Sequence, residues 1–151
     1  MYTPGHTYDH MCFLLKEEET LFTGDNVLGQ GTAVFSNLAL YIESLKRMRD
    51  VAAGRAFPGH GPVIEGGRER CEEYLRHRKG REDEILGVLR GKGGEGWTSM
   101  EIVKVVYKDV DESLHVPAEW GVKLVLEKLE GEERIVKKGA RFVIKERGPV
   151  L

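Results

Sequence analysis

Four glycines fall within the six residues Gly91-Lys92-Gly93-Gly94-Glu95-Gly96. Glycine loses more backbone freedom on folding than any other residue, so such a run disfavours a continuing helix. It breaks a chain of 151 residues into two stretches of different texture. Residues 1–91 hold mixed strand and helix patterns, residues 92–96 read as a linker, and residues 97–151 read as a small unit of their own. A length of 151 residues suits one ordinary domain or two small ones.

Bulk composition excludes several classes. Charged residues make up 32% of the chain, yet the net charge is only −2. That balance gives no general attraction to nucleic acid or to an anionic membrane. No apolar run approaches the roughly 18 residues of a membrane span, so no membrane partner is expected. Residues 1–20 carry charge and histidines without an apolar stretch of the kind a secretory signal needs. Cys12 and Cys71 match no metal spacing and read as free thiols in a reducing compartment. The expected location is the cytoplasm, with the mitochondrion also open.

Strand and helix patterns organise the first stretch. Met11 to Lys16 is an apolar run of strand length, and Leu21-Phe22-Thr23 follows after three glutamates, which predicts an antiparallel hairpin ending at Gly24-Asp25. Residues 26–35 are glycine-containing and read as a loop. Ser36 is placed to cap a helix whose apolar stripe is Leu38, Tyr41, Ile42, Leu45 and Met48. Arg55 to Phe57 is a short strand candidate stopped by Pro58-Gly59. A charged helix from Gly66 or Gly67 to about Arg90 keeps a narrow apolar face of Cys71, Tyr74, Leu75, Ile85, Leu86 and Leu89.

Three motifs in the first sixty residues carry the chemistry: Thr3-Pro4-Gly5-His6-Thr7 with Asp9-His10 behind it, Thr23-Gly24-Asp25, and Pro58-Gly59-His60-Gly61. His6 and His60 each follow Pro-Gly, which sets the imidazole on a stiff turn with little crowding. Asp25 follows glycine at a strand end. Two imidazoles and one carboxylate are a sensible set of zinc donors. Intervals of 19 and 35 residues between them suit successive strand ends better than one helix.

TPGHTYDH, FTGD and PGHG, in this order, resemble the later metal motifs of the metallo-β-lactamase superfamily. FTGDNVLGQGTAVF, PGHGPVI, HRKGRE and the helical tail resemble its β-lactamase-like protein 2 branch. That branch includes fungal thioesterases acting on acyl carrier proteins and a single-strand endoribonuclease. The resemblance implies an α/β (α+β) fold: the C-terminal half of an αββα sandwich over 1–91, followed by a winged-helix-like domain over 97–151. It implies that His6 completes one zinc site, Asp25 bridges two zincs, and His60 completes the second. Asp9 and His10 match positions that support the ligands.

The family's His-x-His-x-Asp-His motif is absent from this sequence. Met1-Tyr2 runs directly into a site motif, so the chain is expected to be the later part of a longer protein. A complete family site holds two zincs, and this chain alone is expected to bind zinc weakly or not at all. The implied activity is metal-dependent hydrolysis of a small-molecule or carrier-protein thioester, with this chain inactive by itself. Two other readings remain open: an endoribonuclease using the same metals, and a non-catalytic interaction module. A half sandwich also leaves an apolar sheet face bare, and two outcomes stay open beside the longer protein: self-association through that face, or completion by a separately made N-terminal half.

Residues 97–151 open on a capping box, Thr98-Ser99-Met100-Glu101, and continue through a short helix to Tyr107. A second helix is expected from Val116 or Pro117 to Glu130, then strands at 134–137 and 141–145. Lysine plus arginine and aspartate plus glutamate number ten each in this stretch, so it carries no net charge. The hairpin nevertheless concentrates Arg134, Lys137, Lys138, Arg141, Lys145 and Arg147. These are candidate phosphate contacts for an RNA partner, or simply charges that keep an edge strand soluble. Trp97 and Trp120 are expected as core anchors, and His77 and His115 as surface residues.

Overall fold

A computed structural model describes residues 1–91 and 93–145; Lys92 of the linker and Arg147 of the hairpin cluster lie outside the described residues. The chain divides into two compact units, Met1–Lys79 and Gly80–Leu151. The division falls inside one helix, which continues to Gly91 before the glycine run.

In the first unit, β1 (Phe13–Leu15) and β2 (Thr20–Gly24) pair antiparallel, with Phe13 opposite Phe22 and Leu15 opposite Thr20. The hairpin is as expected, but β1 is shorter than the run from Met11 to Lys16. Lys16–Glu18 turns as a 3-10 helix, and Glu19 closes it at φ 50°. Residues ahead of β1 pair back on the chain start instead: Cys12 N–H donates to Met1 O at 2.9 Å and Thr3 N–H to His10 O at 2.9 Å. His6 therefore sits at the tip of a closed loop.

Helix α1 (Leu38–Val51) leads to β3 (Ala56–Pro58), which lies parallel to β2 in a sheet of order β1-β2-β3. Asn37, not Ser36, caps α1, its Oδ1 accepting from Leu40 N–H at 3.0 Å. Ser36 is drawn off because its N–H and hydroxyl both donate to Gly5 O. Leu38, Tyr41, Leu45 and Met48 are buried as expected, and Ser44 is buried where Ile42 is only half-buried. Ser44 tolerates this because its hydroxyl donates to Pro4 O at 2.7 Å. These side chains join Leu21, Ala56 and Cys12 in one core, each large apolar group contributing about 1.5–3 kcal/mol on burial.

The sheet's other face is open. Phe13 is 65% exposed and Phe22 43% exposed, and Phe22 stacks on Phe57 with centroids 5.5 Å apart.

The second unit takes the end of helix α2 (Gly67–Gly91), then α3 (Ser99–Val106), α4 (His115–Gly131), β4 (Ile135–Lys138) and β5 (Arg141–Ile144). The Thr98–Glu101 capping box forms with both reciprocal bonds. β4 and β5 pair antiparallel, and Trp97 extends the hairpin by exchanging backbone bonds with Phe142. Ile85, Leu89, Ile102, Val125, Leu126, Leu129 and Ile135 form its core.

Three expectations fail here. Trp120 is 51% exposed, and Trp97 is only half-buried. His115 is buried rather than on the surface, because α4 starts one residue earlier than expected and places its Nε2 3.2 Å from Tyr107 O. His77 is exposed as expected.

Glu82 is buried between Lys128, which donates to Oε2 at 2.6 Å, and Arg134 on Oε1. Burial alone would raise its pKa, but the bonds and charges of Lys128 and Arg134 hold it below the ordinary 4.5. A depressed carboxylate contributes stability that is present above the unfolded pKa and is lost as pH falls through the folded one. Chemical denaturation is therefore expected to show stability falling as pH drops below about 4.5. Glu82→Gln should lower stability by roughly 2 kcal/mol at neutral pH and flatten that acid limb.

Candidate functional site

β2 and β3 run parallel, so their C-terminal ends lie side by side, and the loops that leave them carry Asp25 and His60. Gly59 N–H donates to Gly24 O at 2.8 Å, which locks the two turns together. The loop tip from the chain start adds His6. His6 Nε2 lies 3.8 Å from Asp25 Oδ2, and His60 Nε2 lies 3.5 Å from Asp25 Oδ1. The three residues expected as ligands are thus brought together, with one imidazole at each carboxylate oxygen.

Proton positions follow from the hydrogen bonds. His6 Nδ1 is 2.8 Å from Val34 O, and a carbonyl only accepts, so Nδ1 carries the proton and Nε2 presents its lone pair toward Asp25. His10 is arranged the same way for a different purpose. Asp25 N–H donates to His10 Nε2 at 3.2 Å, so Nδ1 holds the proton and donates to Thr3 Oγ1 at 3.0 Å. The Thr3 hydroxyl then donates to Cys12 Sγ at 3.2 Å. His10 consequently has no free nitrogen for a metal and serves to hold the Asp25 backbone. Desolvation first, then the neighbouring His6 charge, depress its pKa and favour this neutral form. Asp9 is exposed and acts on His10 only weakly, through its charge.

Glycine is required at two of these positions. Gly24 has φ +52°, and a Cβ there would stand 2.8 Å from His10 Nε2. A Cβ on Gly59 would stand 2.5 Å from Asp25 Oδ1. Pro-Gly before His60 is therefore a matter of access to the carboxylate as well as of turn geometry.

The donors suit zinc in kind. Two ligands about 2.1 Å from a tetrahedral ion stand about 3.4 Å apart, close to both histidine–aspartate separations. Asp25 Oδ1 is buried with no hydrogen-bond donor among the described residues, as a carboxylate kept for another partner would be. They fall short in number. Among the described residues no three His, Cys, Asp or Glu side chains converge on a single ion position. Each imidazole–carboxylate pair offers two donors where tight zinc sites use three or four. The side chain of His60 is 77% exposed, so its imidazole, unlike Asp25 Oδ1, is open to water.

Residues 1–60 match the family model "Metallo-beta-lactamase superfamily", and residues 98–142 match "Beta-lactamase associated winged helix domain". The chain belongs to the metallo-β-lactamase superfamily. Its curated relatives include the beta-lactamase-like protein 2 homologs of Caenorhabditis elegans, 48% identical over 84% of this chain, and of Drosophila melanogaster, 45% identical over 89%. A lactamase-like protein nscB of Arthroderma gypseum is 44% identical over 71%. This chain spans 42%, 46% and 38% of those proteins respectively, less than half of each. A metallo-β-lactamase family protein of Thermus thermophilus superposes with a TM-score of 0.77 at 27% identity, covering 96% of this chain and 48% of that one. A Burkholderia ambifaria beta-lactamase domain protein shares the fold, with a TM-score of 0.82 at 22% identity.

The winged-helix cations are mostly engaged within their own unit. Arg134 binds Glu82 and Glu132. Arg141 binds Glu101 and the Gly96 carbonyl. Lys145 pairs with Glu133, and Lys137 lies 5.7 Å from the Phe142 ring centroid. Lys138 is exposed at the hairpin turn.

Sequence reasoning missed two parts of the site in this metallo-β-lactamase chain. Thr3 opens the first motif and could have been noticed there. The Val34 carbonyl left no signal, because any residue supplies a carbonyl. Gly24→Ala is expected to cost about 2 kcal/mol through its left-handed backbone and the His10 contact. Denaturation should show the loss, and the His10 imidazole resonances should shift with it.

Proposed function

We propose that this chain supplies the His6–Asp25–His60 side of a two-zinc hydrolase site acting on an acyl thioester, and that it is catalytically silent alone. The observation that carries this reading is the placement of one imidazole nitrogen at each oxygen of Asp25, with His6 already in the tautomer a ligand needs. Bound zincs would supply a water acidified to near neutrality and a Lewis acid for the scissile bond. His6 and His60 would each hold one ion, Asp25 would bridge them, and His10 would keep Asp25 in place. The further ligands would come from a His-x-His-x-Asp-His segment on other residues.

A thioester is favoured over RNA by the state of the hairpin cations. An RNA surface needs basic side chains free to meet phosphates, and Arg134 and Arg141 are tied to glutamates of their own unit. The thioester would be presented as a small molecule or on a carrier protein.

The test uses the chain with zinc, alone and joined to the His-x-His-x-Asp-His half of a related domain. Alone, elemental analysis should find well under one zinc per chain, and thiol release from a thioester should stay at background. Joined, thiol release should appear and fall more than about 100-fold in His60→Ala or Asp25→Ala. Two tightly held zincs in the chain alone would overturn its silence. Cleavage of single-stranded RNA that weakens steeply with salt, without thiol release, would overturn the thioester.

In the same reading the face of Phe13, Leu15, Phe22 and Phe57 seats a second copy when the chain is alone. Its support is the exposure of Phe13 and Phe22 beside one another. Sedimentation should show concentration-dependent association, weakened at least about tenfold in a Phe13→Ser, Phe22→Ser double variant.

A further inference from the structure

Helix α2 carries Arg70, Tyr74 and Arg78 four residues apart, which places them on one helical face. All three reach the loop between β2 and α1. Arg70 donates to Leu28 O through Nε and Nη2, both at 3.3 Å, and to Gly31 O at 3.1 Å. Tyr74 Oη donates to Gly31 O at 3.0 Å and accepts from Leu28 N–H at 3.0 Å. Arg78 Nη2 donates to Ala33 O at 2.8 Å. Its guanidinium also lies 4.7 Å from the Phe35 ring centroid and 5.6 Å from that of Tyr41. Phe35 in turn stacks on Tyr41 at 5.3 Å.

The loop so held is the one that serves the site. Val34, between the residue Arg78 bonds and the ring it covers, gives its carbonyl to His6 Nδ1. Val34's own side chain is 66% exposed and packs the loop little. The position of that carbonyl therefore depends on its neighbours, and Arg78 grips both of them.

We propose that Arg78, supported by Tyr74 and Arg70, is a positioning residue that sets the His6 tautomer through the Val34 carbonyl. Planarity matters: the guanidinium stacks on Phe35 and Tyr41 while donating sideways to Ala33 O, which an ammonium cannot do. This deepens the reading of His6 as a metal ligand and takes its functional meaning from it. If the carbonyl drifts, His6 exchanges protons between its nitrogens, and Nε2 faces Asp25 protonated for part of the time.

The experiment is long-range proton–nitrogen NMR of the metal-free chain at mildly alkaline pH, where imidazoles are neutral. In the unaltered protein, His6 and His10 should both show a protonated Nδ1 and an unprotonated Nε2. In Arg78→Ala the two His6 nitrogens should move toward a common averaged position while His10, held by Thr3 and Asp25, does not move. Arg78→Lys should behave like Arg78→Ala, and Tyr74→Phe should give a smaller change in the same direction. If Arg78→Ala does not fold, Arg78→Lys decides. An unchanged His6 pattern in a folded Arg78 variant overturns the proposal, as does an equal change in His6 and His10, which marks general loosening. No metal is present, so the result stands apart from the zinc measurements that judge the ligand reading.

Discussion

Parallel pairing of β2 with β3 is the contact on which the site depends. A parallel pair needs a crossover between its strands, and here the connection contains the loop from Asn26 to Asn37 and helix α1. The pairing puts both strand ends at one edge, so two residues far apart in sequence leave the sheet side by side. The Gly59 N–H to Gly24 O bond then fixes the separation of Asp25 and His60. His6 is added by a loop that closes on the same edge.

Around this frame, hydrogen bonds decide chemical roles among residues of the same type. His6, His10 and His60 are all histidines near Asp25, yet only two keep a nitrogen for a ligand. His10 spends one nitrogen on the Asp25 backbone and the other on Thr3. His6 spends one on Val34 and keeps the other. What results is one imidazole nitrogen near each oxygen of Asp25, and two donors are half of what a closed zinc site uses.

In the second unit the capping box and the turn between the two strands are local, and the sequence displays them directly. Its ionic interior is not local. Glu82, Lys128 and Arg134 come from α2, α4 and the start of the hairpin, and nothing in their spacing marks them as partners. Arg134 and Arg141 look in sequence like part of a basic surface. The fold instead pairs both with glutamates of the same unit, Arg134 with buried Glu82 and Arg141 with half-buried Glu101.

The sequence by itself determined what depends on near neighbours and residue type: the hairpin, the helices, the capping box, and the three glycine-flanked histidine and aspartate motifs in their order. Each is legible because its cause lies within a few residues. Only the tertiary structure decided the helix cap at Asn37, the burial of His115 and Ser44, and the exposure of Trp120. It also decided that His10 is a support, and that the Val34 carbonyl holds His6. These depend on which distant groups reach a given atom first, as when Gly5 draws Ser36 away from the helix end. A sequence states which donors and acceptors are present, but the fold alone settles which of them meet.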